Sequence, residues 1–195
     1  LLRLEDGTDV QIDRQTFDES PYRAGGEITP AQLDSLLSAS QYNRARERAL
    51  YLLGLRDYGC RELQQKLLTE ATPEIAAAVV ERLRQVGLLD DSRFAARLAR
   101  HLGEYKQYPR RRIRQELLRR GVDAATGEVA LESLEGEDFQ QALALIKKKY
   151  YNKINNPEDR QRTIAALARR GFTYAAIRRA LEEYGDGCEE MEEWQ

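Results

Sequence analysis

The side chains best equipped to do chemistry in this chain are its arginines and lysines, and the chemistry they suit is the binding of anions. Between Arg93 and Arg120 there are ten bases, at positions 93, 97, 100, 106, 110, 111, 112, 114, 119 and 120, against only Glu104 and Glu116. Arg93, Arg97 and Arg100 fall at i, i+4 and i+7 and so share one side of a helix. Further on, Ile113 and Leu117 set a buried side, and Arg111, Arg112, Gln115 and Arg119 then project outward together. Lys147, Lys148 and Lys149 stand beside Tyr150 and Tyr151, Arg162 and Arg169 are again seven apart, and Arg170, Arg178 and Arg179 follow. A guanidinium presents a planar fork of donors that meets phosphate or carboxylate oxygens two at a time. Any one of these arginines is ordinary on a helix, where it solvates a face and can pair with Glu104 or Glu116. Ten bases against two acids are harder to explain as a neutral surface, and the segment reads as a footprint for DNA, an acidic protein groove, or both. Tyr105, Tyr108, Tyr150 and Tyr151 can stack on bases, although packing is the commoner role for such residues.

Nothing comparable points to catalysis. The one histidine, His101, stands next to Leu102 and four residues before Tyr105, as a structural or surface histidine would. There is no phosphate loop of the GxxxxGK[ST] kind and no serine in a G-x-S-x-G setting. Asp90-Asp91-Ser92 lies just ahead of a helical run, where acids cap the helix and meet the positive end of its dipole; metal binding is the weaker reading. Cys60 sits at a helix start, far from Cys188, with no motif spacing for a disulfide framework or a metal site. No catalytic residue, no metal and no cofactor is expected.

The chain has 195 residues, 42% hydrophobic and 33% charged, enough apolar residues for a core but with much charged surface. No apolar run approaches the ~18 residues that span a bilayer. The first ten residues, broken by Arg3, Glu5, Asp6 and Asp9, do not read as a signal peptide. A reducing cytoplasm fits the cysteine usage. The net charge of −2 conceals a basic middle and an acidic end, with seven acids and no base from Glu182 to Glu193. That end reads as a solvated tail over 186–195; folding back over the basic face is the alternative.

The elements that must carry these charges are helices. Residues 1–41 form an extension: Leu2, Leu4, Val10 and Ile12 alternate around Asp6-Gly7, a hairpin signal, and Thr29-Pro30 opens a short helix through Leu33, Leu36 and Leu37. Beyond it the sequence repeats at a period of about 50 residues. Leu67, Leu117 and Leu167 are equivalent, as are Leu63, Ile113 and Thr163, and Arg120-Gly121-Val122 returns as Arg170-Gly171-Phe172. Three units of three helices are predicted, over 42–88, 89–136 and 137–185. Their helices fall at 43–57, 60–70 and 73–86, at 91–106, 109–120 and 123–134, and at 138–153, 157–170 and 174–184. Phe94, Leu98, Leu102 and Tyr105 make one apolar stripe, as do Phe139, Ala142, Leu143, Ile146 and Tyr150. Gly87, Gly121 and Gly171 follow helical runs, and Pro73, Pro109 and Pro157 sit at helix starts. Units this small bury little by themselves, so an elongated, curved, all-α array is expected.

These residues resemble a known family. Val86-Gly87-Leu88-Leu89-Asp90-Asp91-Ser92-Arg93-Phe94-Ala95 is similar to a signature of the RecX regulators, as is Tyr108-Pro109-Arg110-Arg111-Arg112-Ile113-Arg114-Gln115-Glu116-Leu117, closed by Arg120-Gly121-Val122. Ala49-Leu50-Tyr51-Leu52-Leu53, then Arg61-Glu62-Leu63 and Lys66-Leu67, resembles the family's first unit, so the likeness spans roughly Tyr42 to Tyr184. The hairpin-like extension and the acidic tail depart from that pattern, and Cys60 stands where a serine-like helix start is more usual. The resemblance implies a non-enzymatic monomer of tandem three-helix units. It implies binding in the groove of the RecA–DNA filament, restraint of strand exchange, ATP hydrolysis and co-protease action, and in some members DNA binding. By charge and position the filament or DNA face falls to Arg93, Arg97, Arg110, Arg111, Arg112, Arg114, Arg119, Lys147, Lys148, Lys149, Arg162 and Arg169. A stand-alone DNA-binding helical repeat is the alternative, and a helical scaffold for another protein is a third reading.

Overall fold

A computed structural model describes residues 2–134, 136–151, 154 and 156–192, with side chains through 185. The acidic tail, read from the sequence over 186–195, therefore has its side chains outside the described residues. The chain divides into two compact units, Leu1–Asp90 and Asp91–Gln195.

The first unit opens with the hairpin. Strands β1 (Leu2–Arg3) and β2 (Asp9–Val10) pair antiparallel, Leu2 opposite Val10 and Arg3 opposite Asp9. The turn uses Gly7 at φ +85°, a conformation that glycine adopts without a Cβ penalty, and the Thr8 N–H donates to Asp6 Oδ1 at 2.8 Å. A short helix follows, α1 (Arg14–Glu19), which has no counterpart in the predicted elements. The larger difference comes next. The sequence predicts a short helix from Pro30 and a separate one over 43–57, but they are one 26-residue helix, α2 (Pro30–Leu55). It starts as expected, with Thr29 as N-cap, Gln32 completing a reciprocal capping box, and Pro30 at the first helical position. It does not stop because its middle holds neither glycine nor proline. The polar residues there, which ordinarily favour caps and turns, are instead used by α1. The Asp13 N–H donates to the fully buried Ser40 Oγ at 2.8 Å, and Asn43 Nδ2 donates to Thr16 Oγ1 at 2.8 Å.

Helices α3 (Cys60–Leu67) and α4 (Pro73–Gln85) complete the unit. Its core gathers Ala45, Ala49, Leu63, Leu67, Ala76 and Val79, all with no exposed surface.

The second unit holds α5 (Asp91–Glu104), α6 (Arg110–Arg119), α7 (Ala124–Glu132), α8 (Asp138–Leu145), α9 (Pro157–Arg169) and α10 (Tyr174–Glu192). The run predicted as one helix over 138–153 changes its hydrogen-bonding pattern at Ile146: α8 passes into a π-helical turn, Ile146–Tyr150. This unit has two cores. One joins Phe94, Ala95, Ala99, Ile113, Leu117 and Leu131 across α5 to α7; the other joins Ala142, Leu145, Ile146, Leu167, Ile177 and Ala180 across α8 to α10. The fifty-residue repeat is thus physical, since Leu63, Ile113 and Thr163, like Leu67, Leu117 and Leu167, are each at most 2% exposed. Gly87, Gly121 and Gly171 all have positive φ, ending α4, α6 and α9 as left-handed caps. Pro73 and Pro157 open their helices, whereas Pro109 is the N-cap of α6 rather than its first residue.

The Asp13 carboxylate caps α1 by accepting from the Thr16 N–H at 2.9 Å and from the Thr16 hydroxyl. Burial alone would push its carboxyl up, but the hydrogen bonds with Thr16 and Ser40 outweigh it, so it lies below the usual carboxylate range. A depressed folded-state value means that the stabilisation from its charge is present above the ordinary value of ~3.9 and disappears as the pH falls through the folded value. Asp13→Ala is expected to lower the urea-unfolding free energy at pH 7 by about 1 kcal/mol, with the gap to wild type narrowing in acid below about pH 4. Equal stabilities at pH 7 would contradict the capping role.

Candidate polyanion-binding groove

Helix α6 carries the densest run of bases, and its position is set by apolar residues. Ile113 and Leu117 are buried in the α5–α7 core, and Pro109 before them is also fully buried. That leaves Arg110, Arg111 and Arg112 in the first turn, where cations oppose the helix dipole. The structure resolves this by employing two of the three inside the protein. The Arg110 N–H donates to Asp138 Oδ1 at 2.9 Å, and its guanidinium donates to the carbonyl oxygens of Leu134 at 2.7 Å and Gly136 at 3.2 Å. Asp138 thereby serves two helix starts, its own and that of α6. The Arg112 guanidinium lies 3.9 Å from the centre of the Tyr108 ring and donates to the Arg170 carbonyl oxygen at 3.4 Å.

Arg111 is left for solvent. It is exposed, and among the described residues it has no partner. It lines a groove between α6 and the C-terminal end of α9, together with Gln115 on its own helix and Arg169 and Arg170 on the other side. Arg169 is likewise exposed and, among the described residues, without a partner. The floor depends on Gly171. At φ +102° it occupies a region that side chains avoid, and a Cβ there would come 3.3 Å from Arg112 Cβ and 3.5 Å from Pro109 Cγ. Two guanidinium groups of like charge, neither paired with an acid among the described residues, are thus held on one open groove, an arrangement suited to a polyanion. The Glu116 carboxylate, also on the groove, is taken by Arg119 at 2.6 Å.

The other sequence-predicted site residues are spread more widely. Arg114 forms a two-point pair with Glu128 of α7, with Nη2 to Oε2 at 2.8 Å; Arg114 holds the Glu128 carboxyl below its usual range, and Glu128 pushes the guanidinium up. Arg162 pairs with Asp159 at 3.0 Å and Glu158 at 3.6 Å along α9. Lys147, Lys148 and Lys149 are all exposed on the π-helical turn, whose Ile146 is fully buried. Arg93 and Arg97 are exposed on α5, and both have an interaction within the protein. Sequence reading placed Arg170 near this face without assigning it, and it missed Asp138, whose role needs two repeats to be seen together. His101, read as a structural or surface residue, is exposed and stacks on Tyr105 with ring centres 5.4 Å apart. Among the described residues no group of three His, Cys, Asp or Glu side chains is placed to hold a metal, and no helix is long and apolar enough to cross a membrane.

Fold and groove together define a protein of tandem three-helix domains with exposed, unpaired arginines on one groove. The chain belongs to the RecX family of regulatory proteins. Models of the first, second and third RecX three-helix domains match residues 45–83, 90–131 and 135–181. Relatives named "Regulatory protein RecX" include one from Clostridioides difficile, 27% identical over 192 residues that cover 93% of this chain and 91% of the relative. Another, from Xanthomonas campestris pv. campestris, is 38% identical and covers 69% and 83%, and one from Chromohalobacter salexigens is 35% identical and covers 73% and 94%. A crystal structure of regulatory protein RecX superposes with a TM-score of 0.70 at 21% identity, covering 92% of both chains. That of RecX from Lactobacillus salivarius gives 0.64 at 19% identity, covering 74% of this chain and 97% of that one.

Gly171→Ala tests the groove's construction. The positive φ and the close approach to Arg112 predict a loss of about 1–3 kcal/mol in unfolding free energy, read by urea denaturation. A neutral result would mean that neither the positive φ at 171 nor the close approach to Arg112 constrains the groove floor.

Proposed function

We propose that this protein regulates the RecA recombinase by binding its filament on DNA, without catalysis, and that the groove between α6 and α9 is part of the binding face. The observation that carries this reading is the pair Arg111 and Arg169, exposed on one groove while their neighbours Arg110 and Arg112 are engaged inside the protein. Family membership and the regulatory names of the relatives support it. In this mechanism Arg111 and Arg169 meet phosphates or acidic side chains of the filament, the exposed Lys147 to Lys149 add positive charge, and Arg119 and Arg162 join the contact by exchanging their own carboxylate partners for those of the filament. Contacts from several repeats add up through effective concentration, so that one molecule restrains neighbouring RecA subunits. Arg110, Arg112 and Arg114 contribute by fixing the helices that hold this face.

The test is RecA's DNA-dependent ATP hydrolysis, titrated with this protein below and near the RecA concentration. Wild type is expected to inhibit at substoichiometric amounts. Arg111→Glu/Arg169→Glu is expected to need at least about tenfold more protein, the equivalent of losing ~1.4 kcal/mol of binding, with helical content and unfolding midpoint unchanged. Undiminished inhibition by the double variant would remove the groove from the mechanism. If wild type does not inhibit yet binds DNA with a steep salt dependence, the stand-alone DNA-binding reading takes its place.

A further inference from the structure

Beyond the charged groove, one set of exposed side chains is unexplained by packing. Tyr105 directly follows α5 with 75% of its surface exposed, and His101, one turn earlier, lies against it with the rings inclined by 30°. An aromatic ring left this bare forgoes the burial that usually justifies it. The feature recurs. Fifty residues before His101 stands Tyr51, 59% exposed on α2, and the register is secured by Ala45 and Ala49, fully buried like their counterparts Ala95 and Ala99. Fifty residues after His101 stands Tyr151, 54% exposed at the end of the π-helical turn. Each repeat thus offers a flat ring to solvent near the end of its first helix.

The surroundings favour a nucleic acid. The Arg48 guanidinium sits 5.5 Å from the Tyr51 ring centre. On α5, Arg93, Arg97 and Arg100 share the outward side with His101, and Glu104 is the one acid among them. Among the described residues Arg100 has no partner. It lines a polar cleft of about 710 Å³ with Gln107, Ser133 and Gln140, side chains that offer both donors and acceptors. Stacking surface, positive charge and amide groups near the C-terminal end of α5 are what an unpaired nucleotide requires. A duplex keeps its bases stacked on one another and cannot use the rings.

We infer that these rings are base-stacking sites for single-stranded DNA, with His101 and Tyr105 at the C-terminal end of α5 as the principal platform. This rests on the proposed DNA–filament reading and deepens it by assigning contacts to bases rather than to phosphates. The consequence is a preference for single strands over duplex that charge alone does not give.

The experiment measures binding of fluorescein-labelled dT30, a 30-base-pair duplex and an abasic 30-mer by anisotropy, without RecA. Wild type is expected to prefer dT30 to both other ligands. Tyr105→Ala should weaken dT30 binding by about fivefold or more, the lower end of the range for one stacked base, and leave duplex and abasic binding unchanged. Tyr105→Phe should keep wild-type affinity, because the ring is retained. Tyr51→Ala should add a further loss in combination. Thermal unfolding controls for folding, which an exposed position should not disturb. The proposal is overturned if Tyr105→Ala binds dT30 like wild type, or if wild type binds the abasic strand as tightly as dT30. It is also overturned if wild type binds none of the three oligonucleotides while still inhibiting RecA; in that case the regulatory reading stands and the rings serve a protein contact. Oligonucleotide binding of the expected pattern without RecA inhibition would support the stacking sites and reject the filament reading.

Discussion

The Arg110 network is the constraint on which the second unit depends. The repeats α5–α7 and α8–α10 each have their own apolar core. Polar, local contacts help to join them. Arg110 binds the carbonyls at the end of one repeat, Asp138 of the next repeat accepts from its backbone, and Arg112 reaches the Arg170 carbonyl. Charge-assisted hydrogen bonds are directional, so they fix an orientation where an apolar contact would allow sliding. The Arg111–Arg169 groove exists because that orientation is fixed.

This arrangement divides one run of bases into two kinds of work. Neighbouring arginines with the same side chain and nearly the same position point in different directions, because α6 turns ~100° per residue. Arg110 and Arg112 are drawn to carbonyls and a tyrosine ring, while Arg111 between them faces out. The same device appears in the first unit with different residues. There Arg56 stacks 3.7 Å from the Tyr58 ring centre while pairing with Glu62, at the positions equivalent to Tyr108 and Arg112. A guanidinium on a tyrosine therefore recurs in the first two repeats, supplied by whichever residue is at hand.

Much of this was legible in the sequence. The fifty-residue period, the glycine caps and the proline starts place most helix starts to within a few residues, because core-facing leucines and left-handed caps are demanded locally, whereas α10 runs on to Glu192, past its predicted end at 184. The long α2 was not legible. Its middle reads as polar and weakly helical, and the helix persists because Ser40 and Asn43 find partners on α1. Nor did the sequence announce the π-helical turn at Ile146 or the short helix α1.

The sequence by itself determined the kind of fold, the repeats, the family and the location of the positive charge, since each follows from residue type and short-range spacing. Tertiary structure alone decided which charges face outward unpaired. That choice depends on carbonyls and carboxylates contributed from 24 to 58 residues away, as in Arg110 with Leu134 and Arg112 with Arg170, and no local pattern encodes a partner that only the folded chain brings within hydrogen-bonding distance.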